Sequence, residues 1–367
     1  MSEAHPDTTA HAIAHGGNLR EAARRYGIAW DAWIDLSTGI NPHGYPVPPV
    51  PAAAWRRLPE DDDGFAACAA RYYGAPDARH VLPVAGSQAA IRALPALLST
   101  LLSAQVSPQL SERLPTPAAR VAIAPLTYGE YAPAFAQAGY AVVPLDIESA
   151  QAQNGLPADV LHAVVVNPNN PTASRVGRET LLRWHAQLAG RGGTLIVDEA
   201  FADAFVDSRA ASLADETHRA GLVVLRSPGK FFGLAGARCG FALAAPALLA
   251  ALCARLGAWT VSGPARHAVT HAFEDTAWQA AMRERLAGDS ARLAALLASH
   301  GLAPRATPLF AWIVHARAAA LQDALAARAV WTRRFASPAS LRFGLPASED
   351  EWRRFETALE QAMQAPG

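Results

Sequence analysis

The chain has 367 residues, of which 51% are hydrophobic and 17% charged, and its 32 lysines and arginines balance 32 aspartates and glutamates. This composition is typical of a globular protein with a large buried core, and it excludes a disordered or fibrous chain. A net charge of zero gives no electrostatic reason to expect nucleic acid or an anionic membrane as a partner, because both require a basic surface.

The cysteines and the apolar stretches indicate the class of protein and its compartment. The three cysteines are too widely spaced for a disulfide framework or a zinc site, which fits a reducing cytoplasm. The first ten residues are polar and lack the basic start and apolar run of a secretory signal. The most apolar stretch, residues 89–106, contains Arg92 and Pro95, so it predicts a buried helix rather than a membrane span.

Short β-rich runs alternate with helical stretches in the middle of the chain. They lie at residues 120–125, 140–145, 161–168, 193–199, 221–227 and 239–244. Several of these runs are apolar on both faces, as strands covered by helices on each side must be. We therefore predict an α/β fold with a mostly parallel sheet and helices on both faces, and we expect chemistry beyond the carboxyl ends of the strands.

The C-terminal third has a different pattern. It predicts a long helix near 278–300 ended by Gly301, a β-like stretch at 309–316, and a final helix opened by a capping box of Ser348 and Glu351. These elements indicate a smaller α+β domain. The expected division is an N-terminal arm and connector at residues 1–50, a large domain at 51–258 and a small C-terminal domain at 259–367.

Two charged residues follow neighbouring strands. Asp198 ends the run at 193–199, where a carboxylate alone is usually a cap or a loop residue. Lys230 follows the next run and lies between Gly229 and Phe231. A lysine in such an apolar setting has a lowered ammonium pKa and a more nucleophilic amine than a solvated one. Their proximity after adjacent strands raises the expectation of a catalytic site.

Two other strand ends carry polar groups. Residues 167–172 read Asn-Pro-Asn-Asn-Pro-Thr, which alone is compatible with a simple turn. Gly86, Ser87 and Gln88 join a strand to a helix, and their donors at a helix N-terminus suit an anion, although a helix cap has the same form. The chain has no Walker lysine and no Gly-x-Gly-x-x-Gly, so a nucleotide site loses support.

Together, the glycine loop, Asn-Asn-Pro-Thr, Asp-Glu-Ala at 198–200 and Ser-x-x-Lys at 227–230 with Arg238 are similar to the motifs of fold type I pyridoxal phosphate enzymes, the aspartate aminotransferase superfamily. The resemblance covers nearly the whole chain and implies pyridoxal 5'-phosphate as cofactor. It implies that Lys230 forms a Schiff base with the cofactor and that Asp198 pairs with the ring nitrogen. It assigns the cofactor phosphate to Gly86, Ser87, Gln88, Ser227 and Arg238, the ring hydroxyl to Asn170, and ring stacking to Tyr128.

The resemblance also implies substrate-binding residues. In similar enzymes an arginine at the position of Arg342 binds the substrate α-carboxylate by a two-pronged hydrogen bond. Arg333 is a candidate for a substrate phosphate, and its neighbour Arg334 keeps that choice open.

The N-terminal segment, at 14–28 and 35–44, resembles the start of the threonine-phosphate decarboxylases of cobalamin biosynthesis. That likeness implies that His15, Asn18 and Asn41 reach the site and help to bind the substrate phosphate. Phe201 stands where other aminotransferases have a tyrosine that donates to the ring hydroxyl, and the phenylalanine is similar to the decarboxylase branch.

The expected activity is the decarboxylation of L-threonine O-3-phosphate to (R)-1-aminopropan-2-yl phosphate. The protein is expected to be a cytoplasmic homodimer that binds a small amino acid phosphate as substrate. The alternative is a histidinol-phosphate-type aminotransferase, because no motif encodes which bond at Cα breaks. A transcription regulator of this fold would need a DNA-binding domain, for which the arm before residue 50 is too short. The histidine pairs at 11 and 15 and at 267 and 271 lack a third ligand, so we expect no metal site.

Overall fold

The computed structural model describes residues 16–105 and 118–364. The helices are α1 (Leu19–Tyr26), α2 (Ala52–Arg56), α3 (Phe65–Tyr73), α4 (Ser87–Gln105), α5 (Tyr131–Gln137), α6 (Ala150–Asn154), α7 (Arg178–Ala189), α8 (Ser208–Ala211), α9 (Pro228–Phe231), α10 (Pro246–Leu256), α11 (Gly263–Glu274), α12 (Thr276–Ser299), α13 (Ala318–Ala326) and α14 (Glu349–Gln364). The strands are β1 (Ile34–Leu36), β2 (Val81–Val84), β3 (Arg120–Ile123), β4 (Ala141–Pro144), β5 (Val160–Val166), β6 (Thr194–Asp198), β7 (Leu222–Arg226), β8 (Gly240–Ala244), β9 (Arg305–Thr307), β10 (Phe310–Val314), β11 (Val330–Phe335) and β12 (Ser340–Phe343).

The larger sheet has seven strands in the order β2-β8-β7-β6-β5-β3-β4. Strands β3 to β7 are parallel to one another, and β8 runs antiparallel to both of its neighbours. The six runs predicted from the sequence all form strands of this sheet, with ends that differ by a few residues at most. The expected α/β fold with a mostly parallel sheet is confirmed.

The sheet separates two apolar cores. On β6, Leu195 and Val197 belong to one core and Ile196 to the other, because successive side chains of a strand point to opposite faces. Helix α4 and α10 contribute to the core on the Ile196 face, through residues such as Leu94 and Leu252. Every residue of β6 and β7 is buried, so the carboxyl ends of these two strands are held rigidly in the middle of the molecule.

The smaller sheet has five strands in the order β1-β11-β12-β10-β9. Only β1 pairs in parallel, with β11, and the other pairs are antiparallel. The long α12 and the final α14 match the predicted helices, and Ser348 accepts from the Glu351 amide at 3.2 Å, as a capping box requires. The Glu351 carboxylate accepts from the Ala347 amide at 2.6 Å.

The N-terminal segment is part of the smaller sheet before it becomes a connector. Strand β1 adds to β11, and α1 packs Ala22 against Ala326 in a small core with Trp33. After β1 the chain crosses to the larger sheet, where the Asn41 amide donates to the Lys230 carbonyl oxygen at 3.0 Å. The segment expected as an arm therefore joins the two sheets.

Across residues 16–105 and 118–364, no helix has the length and apolar character that crossing a bilayer demands.

Candidate active site

A cavity of about 460 Å³ opens where β5, β6 and β7 end, between the two sheets. Parallel strands present their carboxyl ends at one edge, so Val166, Asp198 and Ser227 meet there. The rest of the lining comes from Gly16, from the loops after β1, β2 and β3, from Arg238 before β8, and from strands β11 and β12 of the smaller sheet. Residues that the sequence predicted separately therefore share one site.

Lys230 lies in the single-turn helix α9, which starts at Pro228 because proline suits the first helical position. Its Nζ is 5.5 Å from the centroid of the Phe201 ring. Burial and the charges of Arg342 and Arg238 lower the pKa of the amine and the charge of Asp198 raises it, with a net result of about 8. About a tenth of the amine is thus neutral and nucleophilic at pH 7, far more than for a solvated lysine.

Asp198 is 3% exposed and holds both carboxylate oxygens in hydrogen bonds. The Tyr131 hydroxyl donates to Oδ2 at 2.7 Å, and the Ala200 amide donates to Oδ1 at 3.0 Å. Burial raises the pKa of Asp198, whereas these two bonds and the charge of Lys230 lower it. The carboxylate is therefore fixed in direction by neutral donors.

The glycine loop after β2 meets Arg238 at the start of α4. Gly86 has a φ of +75°, and a Cβ added there would lie 2.7 Å from Arg238 Nη2. A Cβ on Gly240 would lie 2.3 Å from the Ser87 amide nitrogen. Both glycines thus allow the arginine and the N-terminus of the 19-residue α4 to converge, and this combination suits an anion.

Tyr128 and Asn170 line the cavity from two further loops. The Tyr128 hydroxyl donates to Gln88 Oε1 at 2.9 Å, and burial together with the charges of Glu130 and Asp198 raises the pKa of this tyrosine to about 12. Asn170 Oδ1 accepts from Arg342 Nη1. The amide is thereby tied to the smaller sheet.

Two arginines of the smaller sheet face the cavity side by side. Arg333 on β11 is the register partner of Arg342 on β12, and both line the cavity, whereas the neighbouring Arg334 is exposed elsewhere because strand side chains alternate. Arg342 Nη2 also donates to the Ser37 carbonyl oxygen. Burial and the charge of Arg333 lower the pKa of Arg342 to about 10, and burial lowers that of Arg333. An anionic ligand would relieve this repulsion.

Two residues expected at the substrate are not among the described lining residues, and a third lies outside the described part of the chain. Asn18 is exposed and caps α1, where it accepts from the Glu21 amide at 3.4 Å. Asn41 is buried, and its Nδ2 donates to the Phe231 carbonyl oxygen at 2.8 Å, so it supports helix α9, which carries Lys230. His15 lies outside the described residues, although the adjacent Gly16 lines the cavity.

Other lining residues were not expected from the sequence. They are Gly16, Thr38, Gly39, Ile40, Thr127, Gly129, Val166, Ala200 and Phe335.

Tyr131, which contacts Asp198 from behind the lining, was also not predicted, although it stands three residues after Tyr128, a spacing that brings side chains to one face of a helical turn. Within the part of the chain that the structure describes, no group of three or more histidines, cysteines and carboxylates is placed to hold a metal ion.

Known proteins resemble this chain over most of its length. Residues 58–358 match the family model Aminotransferase class I and II. A threonine-phosphate decarboxylase of Pseudomonas aeruginosa is 49% identical over 95% of this chain and 97% of its own, and one of Sinorhizobium sp is 40% identical over the same shares. The crystal structure of histidinol-phosphate aminotransferase from Sinorhizobium meliloti in complex with pyridoxal-5'-phosphate superimposes with a TM-score of 0.75 at 16% identity, covering 96% of both chains. The chain therefore belongs to the class I and II aminotransferase family, and threonine-phosphate decarboxylases are its relatives over nearly the full length.

Proposed function

We propose that this protein is a pyridoxal phosphate-dependent lyase that decarboxylates L-threonine O-3-phosphate to (R)-1-aminopropan-2-yl phosphate in cobalamin biosynthesis. One observation carries the proposal: among the described residues, the cavity lining contains four cationic side chains and a single carboxylate, Asp198. Arg238 lies beside the glycine loop, whereas Arg333 and Arg342 lie on the smaller sheet. This division suits three anionic groups, namely the cofactor phosphate, the substrate carboxylate and the substrate phosphate.

The lining fits pyridoxal phosphate in its donor set. Arg238 approaches Gly86 so closely that a Cβ there would lie 2.7 Å from Nη2, which sets a guanidinium beside the backbone of the glycine loop, and Lys230 offers an amine of lowered pKa. The residues that would hold the cofactor are Gly86, Ser87, Gln88, Ser227 and Arg238 at its phosphate, Lys230 at its aldehyde, Asp198 at its ring nitrogen, Asn170 at its ring hydroxyl and Tyr128 against its ring. When bound, the cofactor accepts the electron pair released at Cα as carbon dioxide leaves.

The two arginines of the smaller sheet would hold the substrate at both ends, with Arg342 at the carboxylate and Arg333 at the phosphate. Clamping both ends restricts rotation at Cα, so the carboxylate can be held out of the ring plane. A tight ion pair with the carboxylate would oppose its departure, since its charge is lost in carbon dioxide. Arg342 already donates to Ser37 and Asn170, which limits how many donors it can give to the substrate.

Lys230 would return a proton to Cα after carbon dioxide leaves. Its Nζ, with a pKa of about 8, can hold and release a proton near neutral pH, as an efficient general acid must. Phe201 packs edge-on against Phe310, with ring centroids 5.2 Å apart, and offers no hydroxyl to the cavity.

The test supplies purified protein with threonine phosphate and no keto acid. We expect carbon dioxide and aminopropanol phosphate in equal amounts over many turnovers, with the cofactor remaining an aldehyde. Histidinol phosphate with 2-oxoglutarate is the matched reaction for the alternative function. Conversion of the cofactor to pyridoxamine phosphate once per site, without carbon dioxide, would contradict the lyase and favour the aminotransferase.

We further infer a homodimer in the cytoplasm. Support comes from apolar side chains exposed on adjacent segments: Trp55 is 69%, Leu58 63% and Trp259 60% exposed. Their segments touch, because a Cβ on Gly263 would lie 2.4 Å from the Ala54 carbonyl oxygen. Such a patch is typical of a protein interface. Light scattering should give twice the chain mass for the native protein and a lower mass for Trp55→Asp. All three cysteines are free thiols, as a reducing compartment requires.

A further inference from the structure

Tyr131 is the second buried partner of the site carboxylate and has no part in the function proposed above. It is 1% exposed at the start of α5, and its hydroxyl donates to Asp198 Oδ2 at 2.7 Å. The Tyr128 ring packs against it edge-on, with ring centroids 6.2 Å apart. The phenol is thus enclosed, and its hydroxyl is bonded to Asp198, the carboxylate that lines the cavity within the part of the chain that the structure describes.

The chemistry of a phenol suits this position. Burial and the charge of Asp198 raise the pKa of Tyr131 well above its usual value, so the hydroxyl stays a donor throughout the physiological range. A phenol is also neutral, so it holds the carboxylate in place without cancelling its negative charge. A lysine or arginine in its place would cancel that charge. Of the groups that oppose the effect of burial on the pKa of Asp198, the Tyr131 bond is the largest.

We propose that Tyr131 is a positioning residue that orients the Asp198 carboxylate and keeps its charge available to the cavity. The proposal rests on the proposed function in one respect, because it takes the group facing Asp198 to be the cofactor ring nitrogen. Tyr131 of α5 donates to one oxygen of Asp198 and the Ala200 amide donates to the other, so the two donors together fix both oxygens. Loss of the phenol would remove the donor that the described residues give to Oδ2, and burial then favours the protonated carboxyl.

The experiment compares Tyr131→Phe with Tyr140→Phe. Tyr140 is a matched control, since it is also buried, packs against Phe135 of α5, and its hydroxyl has no partner among the described residues. Both variants delete one buried phenol oxygen from the same part of the fold. Holoenzyme is prepared with pyridoxal phosphate carrying ¹⁵N at the ring nitrogen, whose chemical shift reports whether that nitrogen is protonated.

The charged and titratable groups that face Asp198 are Tyr128, Lys230, Glu199 and Tyr131 itself. Three of these are unchanged in both variants, so a difference between the two titrations isolates the Tyr131 phenol. We expect the pH at which the ring nitrogen loses its proton to fall by about one unit or more in Tyr131→Phe, the size of one hydrogen bond to a charged group. Tyr140→Phe should titrate like the native protein.

A kinetic measurement supports the spectroscopic one. Tyr131→Phe should lower kcat by roughly tenfold or more, because it removes one hydrogen bond to the Asp198 carboxylate. It should leave KM for threonine phosphate unchanged, because Tyr131 is not among the described residues lining the cavity. In a double-mutant cycle the same change should have little further effect on the ring-nitrogen titration of Asp198→Asn, since the phenol acts through the carboxylate.

Equal ring-nitrogen titrations for Tyr131→Phe, Tyr140→Phe and the native protein would overturn the proposal. Parallel shifts in both variants would overturn it as well, because they would reveal packing alone. If Tyr131→Phe does not fold, Tyr131→His retains an N–H donor and should titrate close to the native protein; a shift of a unit or more there refutes the role. The titration needs no substrate, so a protein that fails to decarboxylate threonine phosphate can still pass or fail this test.

Discussion

The glycine loop permits a sharp test of the anion site, because Gly86 faces two constraints that can be separated. Its φ of +75° is unfavourable for any other residue, and an added Cβ would lie 2.7 Å from Arg238 Nη2. Gly86→Ala therefore introduces both backbone strain and a collision. Gly139→Ala is the matched control, since Gly139 has a φ of +86° and nothing within 4 Å of an added Cβ.

The two variants share the strain and differ in the collision. An alanine in the left-handed region lowers the free energy of unfolding by about 1–2 kcal/mol, which applies to both. The contact at Gly86 is with the far end of the Arg238 side chain, which can turn away at little further expense in stability. Turning away removes a charged donor from the phosphate, and hydrogen bonds to charged groups contribute about 1.5–3 kcal/mol, or roughly 10- to 100-fold in affinity.

We therefore expect the two variants to unfold at similar temperatures but to bind pyridoxal phosphate very differently. Calorimetric melting of the apoproteins measures the first quantity, and fluorescence titration with pyridoxal phosphate measures the second. Gly86→Ala should bind at least tenfold more weakly than Gly139→Ala. Equal affinities would refute the assignment of Arg238 to the cofactor phosphate.

Three further predictions concern charges in and behind the site. The rate at which pyridoxal phosphate attaches to Lys230 of the apoprotein should rise with pH and level off above about 8, where the neutral amine predominates; a rise continuing past pH 10 contradicts the lowered pKa. Asp198→Asn should retain the cofactor, measured by its absorbance, and lose roughly 100- to 1000-fold in kcat, whereas near-native turnover would remove the carboxylate from the mechanism. Arg226→Gln leaves the buried carboxylates of Glu199 and Asp203 unpaired, so urea unfolding should show a loss of about 3–5 kcal/mol, and a loss under 1 kcal/mol would contradict this.

The strands and the groups at their ends were predictable because their signals are local. A run such as the one that forms β6 is apolar on both faces, and its carboxyl end must lie at the same edge as those of its parallel neighbours. Asp198 and Lys230 could therefore be placed together from their positions after two adjacent strands. The exception, β8, has the same apolar pattern but runs antiparallel, since direction leaves no trace in composition.

Contacts of the N-terminal segment could not be derived in the same way. Asn18 and Asn41 have polar side chains in a glycine-rich stretch, which is equally compatible with a helix cap, a loop support or a ligand contact. In the structure Asn18 caps helix α1, and Asn41 supports helix α9, which carries Lys230. Tyr131 was missed for a related reason: a tyrosine that opens a helix is most simply a core residue, and only its distance to Asp198 reveals the bond.

The same segment determines how the two halves of the site meet. At one end β1 pairs with β11, the strand of Arg333, and the Ser37 carbonyl oxygen accepts from Arg342. Asn41, only four residues after Ser37, lies at the other end, and its amide donates to the Lys230 carbonyl oxygen. Between them Gly39 passes so close to Phe201 that a Cβ would lie 2.8 Å from its ring. So short a connection leaves little freedom in the separation of the arginines from the lysine. Under the proposed function, this fixed separation would favour a substrate of matching length as well as matching charge.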